Sequence, residues 1–324
     1  MRTSYAVGLD VGGTRIAAGL VERKGRIVKE SKTLTPKGGP FGVVDAIIDA
    51  VEEVSASVQP SEIAGIGIGL PAQIDFFRQT VEFCTNLPLA GVDMRSLVMS
   101  RAKHAVTIDN DGNMAALGES RFGAAKGAKD FVMVTLGTGV GGGVFVGGQL
   151  FRGHRGLAGE IGHMVVEMDG PLCPCGAPGH LEAYVARPAL IREGRAAAQT
   201  FKGAGIKRLA GDDIERISAE TVINAANTGD EEALRIMAEV GRILGVSLVG
   251  VVNLLNPQLI VLGGGIGESC PIIMERAAAI IAEQALAGRR DARMVIADLG
   301  NDAGVVGAAA LAFDEHDSRE GLQR

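Results

Sequence analysis

Two stretches of this chain carry one pattern. AVGLDVGGTRIAAGLVERKGRIV (Ala6 to Val28) and FVMVTLGTGVGGGVFVGGQLFRG (Phe131 to Gly153) each read as apolar strand, glycine turn, apolar strand, second glycine turn and further strand. A chain that opens twice with a β-hairpin, each followed by helical and strand-like passages, has few ways to bury its apolar surface. After the first hairpin, GPFGVVDAIIDAVEEVSASV places apolar residues at helical spacing with Pro40 near its start, and IAGIGIGL (Ile63 to Leu70) and HAVTIDN (His104 to Asn110) read as buried strands. After the second come a long helical pattern from about Asp230 to Leu255, a strand in PQLIVLGGG, a helix through PIIMERAAAIIAEQAL, a strand RMVIAD and a final helix AGVVGAAALAF. Two α/β lobes with a cleft between them fit this order. The expected division is a small N-terminal α/β lobe at residues 1–115 joined by the C-terminal helix 303–313, a larger α/β lobe at 116–302, and a polar tail at 314–324.

Composition agrees with two cores. The chain has 324 residues, enough for two domains, and a hydrophobic fraction of 47% excludes general disorder. Its 47 glycines are about twice the average usage of roughly 7%, which implies many tight turns and close backbone approaches. A net charge of -6 speaks against a nucleic-acid partner, so any phosphate must be met by local groups. MRTSYAVGLDVGG reaches an aspartate and a glycine turn before a signal peptide could develop, and the apolar passage near GVSLVGVVNLL reads as too short and interrupted to span a bilayer. A cytoplasmic protein without a membrane partner is expected. Cys84 and Cys270 stand apart and read as core thiols rather than a disulfide framework.

The densest chemistry lies in GEIGHMVVEMDGPLCPCGAPGHLE (Gly159 to Glu182). Thiolate sulfur and neutral imidazole are the usual tetrahedral donors to zinc, so His163, Cys173, Cys175 and His180 read as one Zn2+ site. Four protein ligands leave no position for an activated water, so this metal is structural and the reacting groups lie elsewhere. The alternative is that His180 faces solvent and Cys173-Pro174-Cys175 is a plain turn. Glu160 and Glu182 flank the loop; carboxylates of this kind clamp sugar hydroxyls, or simply sit on a solvated face.

Four further motifs bear on chemistry. DVGGTR (Asp10 to Arg15) follows a strand-end acid with two bare glycines and a hydroxyl, a nest for phosphate in which Asp10 can hold Mg2+ through water; the alternative is an ordinary hairpin turn. LGTGVGGG (Leu136 to Gly143) offers a second such turn with Thr138. Its Gly137, Gly139 and Gly142 match G-x-G-x-x-G, but strand follows where a dinucleotide site needs a helix, which disfavours an NAD-dependent oxidoreductase. LIVLGGGIGES (Leu259 to Ser269) admits a flat base or ribose close to the backbone, or else its glycines serve helix packing. In IDNDGNMAALGE (Ile108 to Glu119), Asp111 at a strand-to-helix junction can take a proton from a hydroxyl while Asn110 aligns the substrate; a simple helix N-cap is the competing reading.

DVGGT, NDGNMAALGE, LGTGVGGG, GEIGHMVV and CPCGAPGHLE fall in the order and spacing of the ROK family of sugar kinases and sugar-responsive repressors. Over essentially its whole length the chain resembles that family, and within it the bacterial glucokinases. The resemblance implies a two-lobed actin-like (ribonuclease-H-like) sugar kinase fold and ATP-dependent phosphorylation of a hexose, foremost glucose at its 6-hydroxyl. It also implies Mg2+ as cofactor, a structural Zn2+ and assembly as a dimer or tetramer. By matching motif, Asp111 is the general base, and Asn86 (in CTNLP), Asn110, Asp111, Glu160, His163 and Glu182 bind the sugar. Asp10, Gly12, Gly13, Thr14, Thr138 and Gly139 serve the ATP phosphates, and Gly264 and Gly265 the adenosine. Family repressors carry a helix-turn-helix ahead of the first phosphate motif, and here that motif begins within ten residues of the start. A catalytically silent sugar-binding regulator is the rival, against which the intact Asp111 and both glycine turns speak. The chain departs from the family at His180, where a third cysteine is usual, and at YVARPAL, where a Ser-Gly pair usually opens a helix that Pro188 is placed to start. The sequence leaves open which sugar or cyclitol is the acceptor, and ATP against polyphosphate as donor.

Overall fold

The computed structural model describes residues 3–286 and 292–321. The chain divides into two units, one of Met1–Lys129, Gly143–Gly159 and Asn301–Arg324, the other of Asp130–Gly142 and Glu160–Gly300. The boundary expected after residue 115 falls inside the continuous helix Asp111–Phe122, whose buried face belongs wholly to the first unit.

In the first unit, β1 (Tyr5–Val11), β2 (Arg15–Glu22) and β3 (Ile27–Leu34) form an antiparallel meander. After them come α1 (Pro40–Ser55), β4 (Ile63–Leu70), a hairpin of β5 (Gln73–Asp75) and β6 (Thr80–Phe83), α2 (Met94–Ala102), β7 (Val106–Asn110) and α3 (Asp111–Phe122). The sheet order is β3-β2-β1-β4-β7, with β1, β4 and β7 parallel. Every residue of β4 is buried, as a central parallel strand covered on both faces requires. Val43, Val44, Ile47 and Val51 of α1 share a core with Val7, Leu9, Ile66 and Ile68.

The C-terminal helix Ala303–Arg319 packs on β1, β4 and α3. Here the glycine excess finds its use. A Cβ at Gly8 would overlap the Val305 carbonyl, one at Gly67 the Ala308 carbonyl, and one at Gly307 the Met114 carbonyl, so helix, sheet and neighbouring helix meet backbone to backbone. The helix also runs past Phe313 into the stretch expected to be a polar tail. Asp314 pairs with Arg121 at 2.9 Å and Asp317 with Arg23 at 2.8 Å, which ties that polar turn to the unit.

The second opening hairpin comprises β8 (Phe131–Leu136), β9 (Val140–Val146) and β10 (Gln149–Leu150). Then follow α4 (Glu182–Val185), α5 (Arg187–Ala198), α6 (Ala204–Leu209), α7 (Ala219–Asn227), α8 (Glu231–Leu255), β11 (Leu259–Gly263), α9 (Gly264–Gly267), α10 (Pro271–Gln284) and β12 (Arg293–Ile296). The second sheet has the order β10-β9-β8-β11-β12, with β8, β11 and β12 parallel. Pro188 stands in the first turn of α5, where its missing N–H costs nothing. Asp230 caps α8 by accepting from the Ala233 N–H at 2.9 Å, and Asn256, left-handed at φ 49°, ends it. The passage GVSLVGVVNLL, expected to be too short for a bilayer, is part of this 25-residue helix, which by length and composition is long and apolar enough to cross one. Its stripe of Ile236, Val240, Leu244, Leu248 and Val251 is buried, with α7 and α10 packed along the helix, as for a core helix.

Candidate active site and metal-ligand cluster

At the β1–β2 turn, the Gly12 N–H donates to the Arg15 carbonyl at 2.8 Å and the Thr35 hydroxyl donates to the Gly12 carbonyl at 2.7 Å. The turn is thereby laced to the chain that follows β3. Asn86 abuts it: a Cβ on Gly13 would lie 3.3 Å from the Asn86 Cβ. Asp10 packs against Gly304, where an added Cβ would meet its carboxylate at 2.9 Å, and burial pushes its carboxyl up to about 6. Asp10, Gly12, Gly13, Thr14 and Asn86 are thus gathered at one end of the first sheet, with Thr14 and Asn86 exposed.

β7 ends where α3 begins. Asn110 is the N-cap of α3: its Oδ1 accepts from the Asn113 N–H at 3.1 Å and its Nδ2 donates to the Ala72 carbonyl at 3.2 Å. The competing reading of this motif, a helix cap, therefore holds for Asn110, and one N–H and one lone pair of its amide are left for a substrate. Asp111 opens the helix, with Oδ1 accepting from the Gly112 N–H at 2.8 Å. Cys84 lies nearby; its thiol is pushed up by burial and, more weakly, by the charge of Asp111. Sequence reading passed over Asp109, which is fully buried. It accepts from the Asn110 N–H at 2.8 Å, Asn113 Nδ2 at 3.0 Å and Arg152 Nε at 2.8 Å. The available signal was a buried acid at a strand end with no cation in its own motif, since such a group requires one from elsewhere.

In the second unit the β8–β9 turn is closed by the Gly137 N–H on the Gly139 carbonyl at 2.9 Å, with Thr138 exposed. Gly139 faces Glu182, whose Oε2 would sit 2.5 Å from an added Cβ and accepts from the Val140 N–H at 2.9 Å. The other oxygen of Glu182 lies 3.7 Å from the Cys173 sulfur. Glu182, expected on a sugar hydroxyl, thus already joins the second glycine turn to the cysteine loop. Gly264 has φ +82° and an added Cβ would meet the Leu136 carbonyl at 2.5 Å, so packing alone requires glycine there. Gly265 has no neighbour within 4 Å of such a Cβ and keeps an open backbone.

Glu160 leads into a single 3-10 turn, Ile161–His163. His163 Nδ1 lies 3.8 Å from Cys173 Sγ, and His180 Nδ1 lies 3.2 Å from Cys175 Sγ. Ligand atoms of all four residues fall within 4.8 Å of one another. Metal–ligand bonds of about 2.0–2.3 Å in a tetrahedron put donors roughly 3.3–3.8 Å apart, so the donor types and the His163–Cys173 and His180–Cys175 spacings are compatible with zinc, with the other pairs able to close by up to about 1 Å. The loop is held by its own backbone, with the Cys173 N–H on the Ala177 carbonyl and the Gly176 N–H on the Cys173 carbonyl, each at 2.9 Å. Burial pushes the Cys173 thiol up to about 12, so a cation is what would make it a thiolate. The other ring nitrogen of His163, Nε2, lies 3.8 Å from Glu160 Oε2.

The model of the ROK family matches residues 6–315. The chain is similar to a glucokinase of Streptomyces coelicolor, 36% identical over 310 residues that cover 94% of this chain and 96% of that one. The crystal structure of a ROK family glucokinase from Streptomyces griseus in complex with glucose and AMPPNP matches with a TM-score of 0.87 and 35% identity, covering 96% of this chain and 99% of that one. A xylose repressor of Bacillus subtilis is 29% identical over 316 residues, covering 97% of this chain and 78% of its own length. The α/β fold is the two-lobed actin-like sugar kinase fold of ROK kinases such as the Streptomyces griseus glucokinase and a ROK hexokinase from Thermus thermophilus, which matches with a TM-score of 0.79 and 33% identity over 97% of this chain and 99% of that one. With a family model matched from the first strand into the C-terminal helix, this chain belongs to the ROK family.

Proposed function

We infer that this chain is an ATP-dependent sugar kinase of the glucokinase type, transferring the γ-phosphoryl group of ATP to a hexose hydroxyl, the 6-hydroxyl of glucose foremost. The observation that carries this reading is Asp111 itself: a carboxylate at the first position of a helix, beside a capping asparagine, in a chain 36% identical to a glucokinase. Phosphoryl transfer asks a protein for little covalent chemistry and much positioning, so a base, a sugar clamp and phosphate-binding backbone are the parts required. Asp111 removes the hydroxyl proton. Asn86, Asn110, Glu160, His163 and Glu182 bind sugar hydroxyls, Gly12, Gly13, Thr14, Thr138 and Gly139 the phosphates, and Gly265, beside the packed Gly264, the adenosine. Mg2+, when bound with ATP, offsets the phosphate charge, and Asp10 is the residue that would hold it through water. His163, Cys173, Cys175 and His180 would hold a structural Zn2+, with Nδ1 of His163 toward the metal and Nε2 toward Glu160, so that one ring joins scaffold to sugar.

A coupled assay of ADP release across a panel of sugars, with and without Mg2+, tests the reading. Glucose-dependent ADP release is expected, and Asp111→Ala should lower it roughly 10²-fold or more while sugar binding survives. Near-normal turnover in the folded variant would remove Asp111 from the base role. Tight sugar binding with no ADP release from any sugar would instead favour a silent regulator, the reading to which the similarity to a xylose repressor lends support.

A further inference from the structure

The junction of β7 and α3 contains an ion pair, its carboxylate fully buried and its guanidinium mostly so, that proton transfer itself does not use. Asp109 is fully buried, and its Oδ1 accepts from the Asn110 N–H at 2.8 Å and from Asn113 Nδ2 at 3.0 Å, so the same oxygen holds residues on both sides of Asp111. Its Oδ2 accepts from Arg152 Nε at 2.8 Å. The Arg152 guanidinium lies 3.8 Å from the centre of the Phe76 ring, and the Phe76 N–H donates to the Arg155 carbonyl at 3.2 Å. One residue before Asp109, the Gln79 amide accepts from the Ile108 N–H at 2.8 Å and donates to the Ile108 carbonyl at 3.1 Å, standing in for a strand partner.

A buried ion pair adds little net stability over an apolar pair of similar size, because desolvation consumes most of the attraction. What it does supply is direction. A guanidinium stacked on a ring and joined to a carboxylate has a fixed plane, unlike a lysine ammonium in the same place. We propose that Arg152 and Asp109 are positioning residues for the phosphoryl transfer, setting the direction in which Asp111 presents its carboxylate, with Phe76 as the plate that holds the guanidinium. This rests on Asp111 being the base. Asp109 grips the strand end and the first helical turn on either side of that residue, so releasing the pair lets the start of α3 rotate or slide. A displacement on the order of 1 Å at a reacting group costs up to about 10²-fold in rate.

The double variant Asp109→Asn with Arg152→Met removes both charges at once, leaves no unpaired buried ion and keeps the local net charge. We expect kcat to fall roughly 10-fold or more, with the KM for glucose within about 3-fold and the melting temperature within a few degrees of the parent. Phe76→Leu leaves the ion pair in place and removes only the plate, so it should show a smaller fall in kcat with the same unchanged KM. It also provides the answer if the double variant does not fold. Arg152→Lys, which keeps the charge without the plane, should lie between parent and double variant. Asp111→Ala is measured alongside. If Asp111→Ala is inactive while both the double variant and Phe76→Leu turn over like the parent, or raise KM with kcat unchanged, the positioning role is wrong and the base reading stands. If Asp111→Ala keeps its turnover, the base reading fails, and this proposal with it.

Discussion

The two glycine turns look alike in sequence and are supported differently in the structure. At the first, the acid comes from the strand itself: Asp10 lies near the end of β1 and packs against Gly304, while Asn86 lies close to Gly13, 3.3 Å from where a Cβ would stand. At the second, the matching strand position is Thr135, and the acid arrives from another part of the chain as Glu182, bonded to the Val140 N–H and 3.7 Å from a cysteine sulfur. The first turn therefore takes its acid from its own strand, and the second depends on the loop that carries Cys173 and Glu182. A local pattern of apolar residues and glycines specifies a turn, but not which part of the chain supplies its charge.

Sterics should separate the turns most widely. Gly139→Val places a branched side chain where Glu182 already stands 2.5 Å from the Cβ position, so the carboxylate must leave both Val140 and the loop. Nucleotide affinity should fall roughly 10²-fold, matching overpacking on the order of 3 kcal/mol, and sugar affinity should fall with it. Gly13→Val meets Asn86 at a milder 3.3 Å and should cost about 10-fold in nucleotide affinity with a smaller change for sugar. Calorimetric titrations with an ATP analogue and with glucose measure both; equal losses in the two variants would erase the difference between the turns.

Metal removal comes next. Stripping with a chelator, or Cys175→Ala, should lower the melting temperature by roughly 5 °C and loosen the second turn while leaving the first intact, and added zinc should partly restore Cys175→Ala. Elemental analysis that finds no zinc in protein purified without chelator sinks this dependence. Glu182→Gln keeps the shape and loses the charge of the link, which is worth about 1 kcal/mol and hence about 5-fold in nucleotide affinity. Unchanged affinity would mean that the Val140 contact is incidental. His180→Cys restores the cysteine usual in the family and should keep zinc content and sugar affinity within about 2-fold, since thiolate and imidazole are both good zinc donors. Loss of the metal in that variant would show that the loop is shaped around an imidazole.

Much of the molecule was legible without coordinates. β4 matches IAGIGIGL end to end, α8 matches the long helical pattern from Asp230, and His163, Cys173, Cys175 and His180, read as candidate metal ligands, lie with their ligand atoms within 4.8 Å of one another. These features depend on local periodicity, or on donor types close together in a single loop, and both survive in a one-dimensional string. The site residues were legible as types, yet several also have partners within the protein that no local pattern announces. Asn110 caps α3, Gly264 packs on Leu136, and Glu182 holds the second turn.

Sequence alone determined that this chain opens two sheets with glycine turns, puts a carboxylate at a strand-to-helix junction and carries a His2Cys2 donor set, because each is encoded by residues within about one element of one another. Only the tertiary structure decided that Asp109 is neutralised by Arg152, 43 positions away, that Val140 is held by Glu182, 42 positions away, and that Asp10 lies against Gly304. It decided also that the C-terminal helix continues to Arg319, through ion pairs with Arg121 and Arg23. A buried charge must find its partner wherever the packed backbone brings one, and a glycine is required wherever two backbones touch. Neither condition leaves a periodic trace in the sequence near the residue that obeys it.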